Sequence, residues 1–120
     1  MKIKILGIKD AGRLEDERVI LIATEDVDLG DYMTCYVNEI GESTISTDIQ
    51  SPFWFPDITL KKGDHVVVYT RSGQRGRKVS DDGSTVYFYY RNSDNPLCVS
   101  DSIGAIILEV SMWYFESKRL

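Results

Sequence analysis

The chain has 120 residues, 42% of them apolar and 28% charged, and carries a net charge of −5 at neutral pH. That is one domain, 1–120, long enough to bury roughly two-thirds of the surface its unfolded form exposes. The composition excludes a disordered chain, a low-complexity linker and a fixed-period repeat, and the acidic balance excludes broad affinity for duplex nucleic acid.

The opening stretch MKIKILGIKDAG (1–12) has a short apolar run broken by Lys4 and Lys9. It lacks the longer apolar region and small-residue cleavage site of a secretory signal, and nowhere does the chain approach the roughly 20 apolar residues of a membrane helix. The expectation is a cytoplasmic protein without membrane contact, with Cys35 and Cys98 as reduced thiols in strand-like surroundings.

From there the apolar pattern has period two or forms short continuous runs, which predicts strands rather than helices. IKILGI (3–8) reads as a first strand, and RVILIAT (18–24) as a continuous β-branched run, as in a strand buried on both faces or in a sandwich core. YMTCYVN (32–38) is a third, and the alternating STISTDI (43–49) predicts an edge strand. Pro52 and Pro56 bracket the FWF cluster at 53–55, which predicts a crossing segment whose rings plug the core. LKKGD (60–64) is a turn with Gly63 free to take positive φ, and HVVVYT (65–70) is the strongest strand. DDGS (81–84) is another turn, followed by the aromatic strand TVYFYYR (85–91) and the loop NSDNP (92–96). GAIILEV (104–110) and MWYFE (112–116) predict the last strands. Seven to eight short strands separated by Gly, Pro, Asn and Asp predict a single all-β domain, a sandwich or a barrel.

Residues 55–108 resemble the lamin-tail domain family, an Ig-like β-sandwich. FPDITLKKGDHVVVYT resembles the family's turn-and-strand unit, TVYFYY its aromatic strand, and NPLCVSDSIGAIIL the segment leading into a late strand. Upstream, DERVILIATEDVDLGDYMTCYV resembles its opening. Cys98 or Val99, Gly104-Ala105 and Tyr32 stand where the family pattern has Trp, Gly-Asp and Trp. The resemblance implies an Ig-like fold and a binding or adaptor role, with no catalytic residues.

The residues themselves agree in supplying no catalytic constellation. His65 is the one histidine, and there is no G-x-S-x-G elbow and no Walker-type glycine loop. One His and two distant Cys do not make a zinc site, and EDVDLGD (25–31) fails the ligand spacing of a calcium loop, with Gly30 at the fifth position from Asp26. No metal and no cofactor are expected.

Two features remain. TRSGQRGRK (70–78) concentrates Arg71, Arg75, Arg77 and Lys78, a charge of +4 that leaves −9 on the rest of the chain. A solvated loop needs no more explanation than polarity. The functional alternatives are a glycine-flexible hairpin that captures an anion or nucleotide with guanidinium forks, a nest of amides at Gly73 and Gly76 and a neighbouring aromatic strand, or one that docks on an acidic protein patch. Met112, Trp113, Tyr114 and Phe115 put aromatic surface on both faces of the last strand, which marks an interface candidate. The reading is a non-catalytic binding or adaptor module acting on a protein partner or assembling as a homo-oligomer. The alternative is a small phage-type protein that sequesters a nucleotide-like anion through the basic loop.

Overall fold

Strand β1 (Ile3–Lys9) pairs antiparallel with β2 (Arg18–Ala23), with a bulge between Ile5 and Gly7. The computed structural model, which describes residues 1–119, continues this sheet through β8 (His65–Tyr69), β10 (Thr85–Tyr90) and β9 (Gly76–Val79), in the order β1-β2-β8-β10-β9. β8 is its middle strand. Its Val66, Val67 and Val68 are all buried, which explains the unbroken apolar run: both faces are covered and both edges are paired. In β2 only alternate residues are buried, Val19, Leu21 and Ala23, while Arg18, Ile20 and Ile22 lie on the outer face.

β8 and β10 run parallel, so the chain must cross over between them. β9 supplies the return. It is joined to β10 by a turn in which Gly83 adopts φ 88°, and β10 inserts between β8 and β9.

The second sheet is built on β4 (Tyr32–Gly41). One edge pairs with β11 (Ile103–Glu109) in unbroken antiparallel register from Ile103↔Asn38 to Glu109↔Tyr32. The other pairs with β6 (Gln50–Trp54) and the two-residue β5 (Thr44–Ile45). A further short pair, β3 (Val27–Asp28) with β7 (Thr59–Leu60), leads into a 3-10 turn at Leu29–Asp31, where the Asp28 carboxylate accepts from the Gly30 amide. Ile3, Val19, Leu21, Val66 and Val68 meet Tyr32, Tyr36, Phe55 and Leu60 in one core. The protein is therefore an all-β sandwich, with no α-helix among the described residues and hence no helix there able to cross a membrane.

Four expectations are corrected. Of 43–49 only Thr44 and Ile45 pair, because Ile45 and Ile49 face solvent and no layer rewards their alternation; Ser43 at φ 56° turns the chain instead. Residues 112–116 form no strand. The β4–β11 ladder ends at Tyr32, one further rung runs from the Val110 amide to the Asp31 carbonyl, and the 3-10 turn beyond offers no strand to pair with. The FWF cluster is not a crossing segment: Phe53 and Trp54 belong to β6, an edge strand that tolerates Pro52. Finally, residues 76–78 of the basic stretch belong to a strand, β9, rather than to a loop.

Candidate functional site

The four cations of residues 70–78 do not converge. Arg71 is a structural clamp. The Tyr69 and Tyr90 rings, neighbours across the parallel β8–β10 pair, stack at 5.3 Å and 10°. The Arg71 guanidinium covers both, 4.8 and 5.2 Å from their centroids, and its Nε donates to the Glu15 carbonyl at 3.0 Å. Lys78 lies opposite Val86 on the outer side of the sheet. Arg77 lies opposite Tyr87, on the inner side, and Arg75 precedes it by two residues. Among the described residues neither Arg75 nor Arg77 forms a salt bridge; the ion pairs present are Arg18–Asp10 and Lys61–Asp26.

The inner face of β10 is the core face: Tyr89 is 3% exposed, and Tyr87 packs against the core cluster. Phe53, Phe55 and Tyr89 form a ring cluster with centroids 5.3 to 5.9 Å apart. Under β9, whose four residues are all exposed, the opposing layer gives way to a cleft. It consists of two adjoining hollows of about 500 and 350 Å³ that share Arg75 and Tyr89. The larger is lined also by Phe53, Trp54, Pro56, Gly73, Gln74, Tyr90 and Asn92, the smaller by Ile58, Gly76, Arg77 and Tyr87. Burial pushes the Tyr89 hydroxyl up in pKa while Arg75 draws it down, and that hydroxyl has no hydrogen-bond partner.

The wall of the cleft is held in place. A Cβ on Gly73 would sit 2.4 Å from the Tyr90 ring, so only glycine allows the loop backbone to lie against it. The Gly73 amide, expected to be open to an anion, instead donates to Asn92 Oδ1 at 3.2 Å. The Asn92 amide donates to the Arg71 carbonyl, and the Ser93 amide to that of Thr70. Trp54 is fixed from the far side by its indole N–H, which donates to the Gly30 carbonyl at 2.8 Å.

Among the charged residues that sequence reasoning missed, Glu17 lies in the interior and Arg91 is half-buried. Glu17 is fully buried, although its neighbours make that stretch look like solvated acid. Its Oε1 accepts from the Thr70 hydroxyl (2.5 Å) and the Leu97 amide (2.9 Å), its Oε2 from the amides of Gly12 (2.8 Å) and Cys98 (3.0 Å). Burial alone would raise its pKa; these bonds outweigh burial and hold it below the ordinary value. Arg91 lies between the Tyr36 and Phe53 rings, at 5.0 and 5.7 Å, and donates to the Ser51 carbonyl, while its Nε and one terminal nitrogen have no partner. Burial depresses its pKa, and burial raises the thiols of Cys35 and Cys98 and the Tyr36 hydroxyl around it. Both cysteines are free and buried.

Beyond β11 the chain continues as an arm without strand or helix through residue 119. Met112, Trp113, Tyr114 and Phe115 are 88, 68, 84 and 74% exposed. Trp113 makes one aromatic contact, edge-to-face on Trp54 at the rim of the cleft.

Among the described residues no three His, Cys, Asp or Glu side chains are grouped to hold a metal ion. No protein-family model and no curated protein matches the chain.

Proposed function

We propose that the chain is a non-catalytic binding module on an Ig-like sandwich of the lamin-tail type, and that it assembles with a second copy of itself through the C-terminal arm. One observation carries this reading: four consecutive large apolar side chains, each two-thirds exposed or more, follow β11, which pairs with β4 along its whole length. A monomer that leaves such a run uncovered forfeits burial of its aromatic surface. The charge distribution supports a self-complementary contact, since the chain carries cations on β9 and an excess of carboxylates between Asp10 and Asp31.

Light scattering across a concentration series tests the proposal. The intact chain is expected to self-associate at tens of micromolar, and Trp113→Ser with Phe115→Ser to remain monomeric with an unchanged circular-dichroism spectrum. An intact chain that stays monomeric throughout the series overturns it.

A further inference from the structure

We propose that the cleft beneath β9 is a binding site for a nucleoside phosphate, with the phosphate held by Arg75 and Arg77 and the base against the aromatic wall. This site does not need the arm that carries the assembly reading, although its charged side, β9, is the one that reading sets against the carboxylates of a second copy; its rings belong to β10 and β6.

The argument begins with the cations. Every other arginine placed near the cleft or its supporting strands already has a partner: Arg18 has Asp10, Arg71 has the Glu15 carbonyl, Arg91 has the Ser51 carbonyl. Arg75 and Arg77 have no such partner among the described residues, although the rest of the chain carries a charge of −9. Two guanidiniums facing one cavity repel each other and present fork-shaped donors to it. An anion with several acceptor oxygens relieves the repulsion and fills the forks.

The remaining lining says what else the ligand carries. A free phosphate has no use for rings, yet Phe53 and Trp54 line the larger hollow and Tyr87 the smaller one beside Arg77, with Tyr89 shared between the two; the Tyr90 ring is already taken up by Tyr69, Arg71 and Gly73. Stacking on such rings favours a planar heterocycle and is indifferent to which base it is. A fatty chain would meet the same apolar wall but would leave two guanidiniums to a single carboxylate head. The volumes, about 500 and 350 Å³, lie in the usual range for small-molecule sites of about 300–1,000 Å³.

Polar groups complete the set. Asn92 spends its oxygen on the Gly73 amide, which leaves its NH₂ as a donor at the wall of the larger hollow, where Gln74 adds a second amide. The loop that carries them is packed onto Tyr90 at Gly73, so this wall exists before any ligand arrives. The acidic remainder of the chain disfavours a long polyanion, which selects a free nucleotide over a nucleic-acid strand.

The test is calorimetry on the full chain at about 0.1 M salt, where screening leaves short-range pairs intact, with AMP, ADP, cyclic di-AMP, adenosine, inorganic phosphate and an oligothymidylate as probes. Tryptophan fluorescence of Trp113→Phe, which leaves Trp54 as the one indole, gives a second readout. At least one nucleotide is expected to bind, with adenosine and inorganic phosphate each about tenfold weaker or more. Arg75→Ala and Arg77→Ala, both on exposed positions that leave the fold intact, should each weaken that nucleotide about tenfold, and Lys78→Ala less than about twofold. The proposal is overturned if no nucleotide binds up to about 1 mM, or if the Arg75→Ala/Arg77→Ala double variant binds as the parent does. Phosphate binding as tightly as any nucleotide, which would reveal an anion site without ring recognition, overturns it as well, as does the oligothymidylate binding more tightly than any of them.

Discussion

The Thr70 hydroxyl donates to the Glu17 carboxylate at 2.5 Å, across 53 residues of sequence, and so ties the end of β8 to the residue that precedes β2. Glu17 is charged, out of water and hydrogen-bonded on both oxygens. A buried carboxylate in that state stabilises the fold only while it is ionised and all its donors are engaged.

Glu17→Gln turns one acceptor oxygen into an NH₂ group: at the Oε2 position it faces the amides of Gly12 and Cys98, and at the Oε1 position it faces that of Leu97, with the Thr70 hydroxyl turning to accept. The expected cost is about 2–4 kcal/mol, from donors left unpaired in the interior. A lower urea midpoint with unchanged slope checks it; a midpoint within error of the parent's would show that the network contributes nothing.

The same carboxylate sets a pH dependence. Its folded pKa lies below the ordinary value of 4.5, so in the window between the two the unfolded chain binds more protons. The contribution is complete above the unfolded pKa and is lost as pH falls through the folded one. Unfolding free energy measured on descending from pH 6 should therefore fall in the acid range, and the fall should be shallower in Glu17→Gln.

Arg71 and Arg77 look alike in sequence and differ in their surroundings. Arg71→Ala removes a cation from two stacked rings and a bond to Glu15, at an expected cost of about 1–2 kcal/mol. Arg77→Ala should change stability by less than about 0.5 kcal/mol, as substitution of an exposed unpaired side chain does. Melting curves of the two variants side by side decide this.

Gly73→Ala forces a Cβ to within 2.4 Å of a ring that Tyr69 and Arg71 hold from the other side. Neither side can yield cheaply, and the expected loss is about 1–3 kcal/mol. The near-ultraviolet dichroism of the tyrosines should change with it.

Arg91 gives an opposite expectation for two substitutions. Arg91→Met keeps an apolar stem between Tyr36 and Phe53 and removes two buried donors without partners, so stability should stay within about 1 kcal/mol of the parent or rise. Arg91→Ala also empties the space, and should cost about 2–4 kcal/mol. Equal losses in the two variants would mean that the guanidinium, not the packing, is what matters there.

What was legible in the sequence was local. The valines of β8, the run of β2, and the turns at Gly63 (φ 94°) and Gly83 carry their reasons within a few residues. What was not legible depends on partners. GRKV has no strand pattern and is extended because β10 offers it an open edge. The alternation at 43–49 and the aromatic run at 112–116 read as strands, yet β4 pairs with only Thr44 and Ile45 of the first, and no strand lies alongside the second. Glu17 looks like any surface acid, since three of its four donors lie 53 to 81 residues away. In the candidate site the cations were visible as a cluster, but their division between two faces required the register of β9.

The insertion of β10 between β8 and β9 also bears on the order in which the molecule assembles. The β9–β10 hairpin closes over a short turn and can form early, whereas the parallel seam to β8 must wait for a longer loop to close. The arginine-bearing edge therefore travels as cargo on its aromatic companion, and a lesion at that seam would displace both together rather than either alone.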